Sequence, residues 1–277
     1  MGSIAGQLLV LRKRTSTWIL MGIWVLLGGM FAYLLPYLDY RGGVDGAQQV
    51  SLSELLPENL AENILAGFPF FGGVFALMLG VLAIGSDYGW DTLKTVLTQR
   101  AGRVRLLFAK VAALAAMLVP FVLAPFIVGA VATYVIAGAE DAAVNWPSVW
   151  EFLQAFAAGW FVLALWAAFG VLLAVLSRGT ALAVGLGILY TFVIEGLFSA
   201  LAGEVSWLDT FVEYFLRANA YSLTVALGVS TESLADNGPG GFLGPFVDGG
   251  QAILVLSAYM TGFLLLSTIV FRRRDVS

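Results

Sequence analysis

The chain has 277 residues, of which 60% are hydrophobic and 12% charged, against about 25% charged in an ordinary soluble domain, and this balance excludes a soluble globular protein. Neither Cys nor His occurs, which removes disulfides, thiolate and imidazole chemistry and most zinc, copper or haem sites; no catalytic residue, metal site or bound cofactor is expected. The net charge of −4 becomes informative only when each charge is assigned to a side of a membrane.

In chain order, Ile4 to Arg14 places Ile4, Leu8 and Leu11 on one helical face and ends in Arg12, Lys13 and Arg14. It reads either as a positive flank for the first span or as an interfacial helix. The apolar run 17–37 is too long for the h-region of a signal peptide and is predicted to be a retained first span. Gly6 stands where a myristoylation signal wants Ser or Thr. An outer segment, 38–67, leads to a second span over 68–85. The third span, 111–137, contains Pro120 and Pro125, which remove intrahelical donors and predict a kink, read either as a packing feature or as a broken helix lining a cavity. Thr133 and Tyr134 are its polar candidates for a substrate path.

The fourth span covers 152–176, and the turn Ser177-Arg178-Gly179 joins it to a fifth over 181–201. Glu195 is the only acidic residue placed inside a span, which makes it a functional-site candidate by default, with a partner-satisfied or snorkelling residue as the alternative. Gly185, Gly187 and Gly196 would allow close helix approach there, with packing between two copies as the expected role. Within the outer segment 202–251, residues 207–229 mix Phe, Tyr and Leu with polar groups and predict two short helices, partly re-entrant or lying on the outer surface. Residues 236–250, rich in Gly and Pro, predict an exposed loop. The sixth span covers 252–271. The predicted fold class is an all-α integral membrane protein of six spans, in one domain over 1–277.

Six spans place both termini on one side. Of the 14 Lys and Arg residues, twelve fall on the side of the termini and only Arg41 and Arg217 on the other. Because short cytoplasmic loops collect Lys and Arg, the basic side is predicted to be cytoplasmic. All but four of the 18 acidic residues fall outside. Trp18, Tyr33, Tyr37, Trp146, Trp150 and Trp207 lie near span ends, where aromatic rings favour the headgroup level.

The inner segment after the second span runs Ser86-Asp87-Tyr88-Gly89-Trp90-Asp91-Thr92-Leu93-Lys94-Thr95-Val96-Leu97-Thr98-Gln99-Arg100. Trp90, Leu93 and Leu97 fall at i, i+3 and i+7, one apolar face of a short helix. Asp91 precedes Lys94 by three residues and suits the first turn. Such a helix lies on the membrane surface or docks into a groove on a cytoplasmic partner.

With Arg103 and Lys110 at the entrance of the third span, this segment resembles the type-2 (ABC-2) permease subunits of ATP-binding-cassette transporters, whose inner loop carries an acidic residue, a Gly-Thr-Leu-Lys-like helix, a small turn, an Arg and a Lys. Asp87, Asp91 and Ala101-Gly102 depart from the residues common there. The resemblance covers nearly the whole chain. It implies a short cytoplasmic coupling helix between the second and third spans, with Asp87, Trp90, Asp91, Leu93, Lys94, Leu97 and Arg103 at the interface to an ATPase. It also implies a dimer with an identical or similar permease, two cytoplasmic ATPase subunits that hold ATP and Mg2+, a prokaryotic inner membrane, and export of an amphipathic compound; no nucleic acid partner is expected.

The only lysines are Lys13, Lys94 and Lys110, none preceded by Gly, so the chain has no Walker A lysine and ATP hydrolysis falls to a partner. Two alternatives are a stand-alone secondary transporter, for which Glu195 is the sole candidate ion ligand, and a non-catalytic membrane subunit of another complex.

Overall fold

The computed structural model describes residues 4–42, 50–89, 102–202, 206–231 and 246–273, and among these the secondary structure is helical with no strand. Six helices are long and apolar enough to cross a membrane: Thr15–Gly42, Phe68–Ser86, Val104–Ala139, Val149–Ser177, Thr180–Leu201 and Gly249–Arg273, numbered spans one to six below. The all-α, six-span class is therefore observed. The helix Ile4–Lys13 precedes span one and packs on the start of span three, burying Gln7 and Leu11.

Contacts between helix ends fix an up-and-down order. At one end Arg14, before span one, donates to Leu82 and Ser86 at the close of span two. Lys110, near the start of span three, donates to Ala83, and Gly85 abuts the Gly179-Thr180 turn between spans four and five. At the opposite end Tyr37 donates to Glu140 at 2.7 Å and Arg41 pairs with Glu140 at 3.3 Å. The first of these is the basic end.

Spans two and four form the centre. In them 72% and 78% of the apolar window is buried, against 11% for spans one and six. Lipid is as apolar as Leu, so helices associate in a bilayer through close packing, and small residues permit it. A Cβ on Gly80 would lie 2.9 Å from the Ala167 carbonyl carbon, and one on Gly170 would lie 3.0 Å from the Leu77 carbonyl carbon and from Val81 N. Two glycines thus let two backbones touch at one crossing. In span five, where close approach was expected, Gly187 packs on Leu77 within the chain and Gly185 has open space around its Cα.

Span three does not break at its prolines: the helix Arg103–Ala139 is continuous with Pro120 and Pro125 inside it. Pro125 cannot donate to the carbonyl four residues earlier, that of Phe121. Trp24 of span one does so instead, its indole Nε1 donating to Phe121 O at 3.1 Å. Trp160 of span four donates to Ala115 O at 3.0 Å beside the other proline. Span four opens on a capping box in which the Ser148 hydroxyl accepts from Glu151 N and the Glu151 carboxylate accepts from Ser148 N. It closes on Arg178, which takes the left-handed conformation at φ 57°.

The outer segments are more structured than loops. Residues 52–59 form two 3-10 turns, and the helix Leu60–Ala66 folds back against span three, with Leu60 and Ile64 over Gly129. Tyr33 lies on the same glycine and is 2% exposed, so it belongs to the core and not to the headgroup level, whereas Trp146, Trp150 and Trp207 are exposed.

After span five, the helices Ser206–Val212 and Leu216–Val225 form a hairpin. Tyr259, ten residues into span six, donates to Tyr214 O in the hairpin turn at 3.1 Å, about 15 Å below the start of that span at 1.5 Å per residue. Ser222, near the other end of Leu216–Val225, accepts from Val247 N just before span six. The turn therefore lies deep and the chain climbs back outward, which makes the hairpin re-entrant.

Candidate functional site

Two constellations stand out, one at the basic end and one where the hairpin meets span five. At the basic end the helical geometry of span two continues to Gly89. The Arg14 guanidinium reaches Leu82 O and Ser86 Oγ at 2.6 Å each, Ser86 Oγ itself donates to Leu82 O, and Lys110 Nζ donates to Ala83 O at 3.1 Å. Lys110 is 6% exposed. Cations favour the carbonyl-rich C-terminal end of a helix. Here two of them, from either side, tie the last turns of span two to spans one and three.

Asp87 lies on the closing turn of span two and Arg103 opens the helix of span three. They flank the segment that contains Trp90, Asp91, Leu93, Lys94 and Leu97, which lies outside the described residues.

The second constellation is built on span five. Its buried positions Ala183, Gly187, Thr191, Glu195 and Ser199 recur every four residues, with Gly196 buried beside Glu195, and all are small or polar, while Leu182, Leu186, Leu189, Val193 and Leu197 are exposed. In an α-helix a four-residue stripe drifts by about 40° per step. The π-helical stretch Leu189–Glu195, with its wider turn, takes up that drift and keeps Glu195 on the inner face.

Glu195 is fully buried. Its Oε1 accepts from Leu216 N at 2.8 Å and Arg217 N at 3.2 Å, and its Oε2 accepts from Arg217 N at 3.2 Å; Tyr190 also acts on the same carboxylate. These are the first amides of Leu216–Val225, so a residue of span five caps the buried end of the hairpin helix, where the helix dipole favours negative charge. The Arg217 side chain, 3% exposed, interacts electrostatically with Glu195 and donates to Thr191 O at 3.4 Å.

Thr133 and Tyr134 do not join this centre: Thr133 donates to Ala130 O of its own helix, and Tyr134 is 61% exposed. Arg217, assigned by charge to the solvated outer side, is instead inside the protein. The signal was present in part, because Arg217 is the only charge between Glu213 and Glu232, in an otherwise uncharged run.

A bundle of six apolar helices, each long enough to cross a bilayer, is a polytopic membrane protein. The family model of the ABC-2 family transporter protein matches residues 8–276, and the chain belongs to that family. It is thus a multi-pass permease subunit of an ABC transporter, the membrane component and not the ATPase, and its family implies association with an ABC ATPase subunit. A search among curated proteins finds no match.

Proposed function

We propose that the chain is one of two permease subunits, identical or similar, of an ABC exporter in a prokaryotic plasma membrane, driven by two cytoplasmic ATPase subunits that hold ATP and Mg2+, with an amphipathic compound as cargo. The observation that carries this reading, beyond family membership, is the tie of Arg14 and Lys110 onto the last turns of span two, immediately before the amphipathic sequence Gly89 to Gln99. The twelve-to-two division of basic residues supports a cytoplasmic position for that end.

Trp90, Leu93 and Leu97 then form the buried face of a coupling helix in a groove of the ATPase, flanked by Asp87, Asp91, Lys94 and Arg103. Closure of the ATPases on ATP shifts this helix. The two cations pass the shift to spans one and three together with span two, so that the inner ends move as a unit and the dimer alternates its opening. Replacing Leu93 or Leu97 by Asp is expected to release the ATPase while membrane insertion stays intact. Undiminished co-purification with unchanged ATP-dependent transport would overturn the coupling role.

A further inference from the structure

We infer that Glu195 is a positioning residue of the permease, a cap that holds the re-entrant hairpin in place through its acceptor oxygens, and not a proton carrier or a substrate ligand. The inference is independent of how the ATPase docks. Both oxygens already accept hydrogen bonds from the first turn of Leu216–Val225, and no surface of the residue is exposed. Among the described residues, the charged and titratable side chains facing it are Arg217 and the tyrosines Tyr190, Tyr221 and Tyr259. None is a second carboxylate to which a proton could pass.

The helix end it caps has no local means of satisfaction. Phe215 stands at the N-cap and supplies no side-chain acceptor. Asn219, one turn further on, donates its side-chain amide to Glu213 O and Phe215 O at 2.8 and 2.7 Å, and its acceptor Oδ1 takes no hydrogen bond from the first turn. In water an uncapped first turn would bind solvent; in a bilayer it cannot, and the unmet amides would draw the hairpin out toward the surface. Glu195 supplies across the fold what Ser or Asp supplies locally in an ordinary helix.

Reach and charge separate the cap from a pathway role. Glu195→Gln keeps an oxygen at the same reach and loses the charge; Glu195→Asp keeps the charge and falls one methylene short. The absence of native cysteine makes Ala220→Cys, in the middle of the buried hairpin helix and 0% exposed, a clean reporter, with Thr231→Cys in the exposed exit as a positive control. The full chain in lipid nanodiscs is labelled with a soluble maleimide.

The Ala220→Cys reporter is expected to label slowly when Glu195 is intact. Its rate is expected to stay within about threefold in Glu195→Gln and to rise more than tenfold in Glu195→Asp and Glu195→Ala. The pH profile of ATP turnover in the complex is expected to be unchanged in Glu195→Gln. Protection retained in Glu195→Asp and lost in Glu195→Gln, protection lost in both, or protection retained in both would each overturn the cap. So would a Glu195→Gln variant that labels like the parent but no longer couples ATP turnover to transport. If Glu195→Ala does not insert, the other two variants still decide.

Discussion

Gly170→Ala adds one methyl group at the crossing of spans two and four. Its Cβ would lie 3.0 Å from the Leu77 carbonyl carbon and 3.0 Å from Val81 N, with the Leu77 carbonyl oxygen closer still. Ordinary contact begins near 3.4 Å, and every obstructing atom is backbone, so no side chain can rotate away and the helices must separate. Overpacking a tight interior costs about 1–3 kcal/mol, and a rigid helix pair belongs at the upper part of that range, about 2–3 kcal/mol. Gly80→Ala meets Ala167 at 2.9 Å in the same crossing, so the double variant should lose less than the sum of the singles by at least about 0.5 kcal/mol, since the first substitution already makes room for the second.

Gly22→Ala and Gly262→Ala serve as controls. Neither Cβ has a neighbour within 4 Å, and Ala in a helix interior is favoured over Gly by about 0.5–1 kcal/mol. Unfolding of the purified chain in mixed micelles, followed by tryptophan fluorescence, gives the comparison. A Gly170→Ala protein as stable as its parent, or strict additivity of the pair, would refute the close backbone crossing.

Trp24→Phe should cost about 1–3 kcal/mol by stranding the Phe121 carbonyl, and Pro125→Ala, which restores the missing backbone donor, should recover most of that loss in the same unfolding assay. Ser148→Ala should lower stability by about 1 kcal/mol through loss of the span-four cap. Lys110→Met should leave insertion intact and lower transport-coupled ATP turnover several-fold in the assembled complex; turnover equal to the parent would show that the tie on span two carries no motion. Gly185→Ala should be neutral or stabilising in the isolated chain, and a loss of dimer at unchanged monomer stability would place a second copy against span five.

The six spans were legible because bilayer crossing imposes length and hydropathy, properties local to each run. Their alternation was legible from Arg and Lys placement, and the contacts of Arg14, Lys110 and Gly85 with neighbouring span ends reproduce it. The two short helices after span five showed in the half-polar composition of residues 207–229, which fitted a re-entrant or a surface position equally. Pairings across the fold were not legible: that Trp24 would serve the carbonyl orphaned by Pro125, or that Glu195 would cap Leu216–Val225, depends on which helices are neighbours, and hydropathy is silent on that. Gly80 and Gly170 were overlooked for the same reason, since a glycine at a crossing and a glycine on an open face look alike in one sequence.

Arg217 was misplaced because a charge count treats every Arg in an outer segment as solvated, and re-entrance removes that assumption. The helix Leu60–Ala66 was missed because it is short and lies between two turn-like stretches.

In the proposed function, ATP hydrolysed elsewhere drives this permease through the segment that follows span two. Affinity purification of the tagged chain from its native membrane in mild detergent tests it most directly. A Walker A-containing ATPase is expected to accompany the parent chain at one copy per permease and to be lost from the Leu93→Asp and Leu97→Asp variants, which remain in the membrane. A purified chain that carries no ATPase and sustains transport on an ion gradient alone would contradict it.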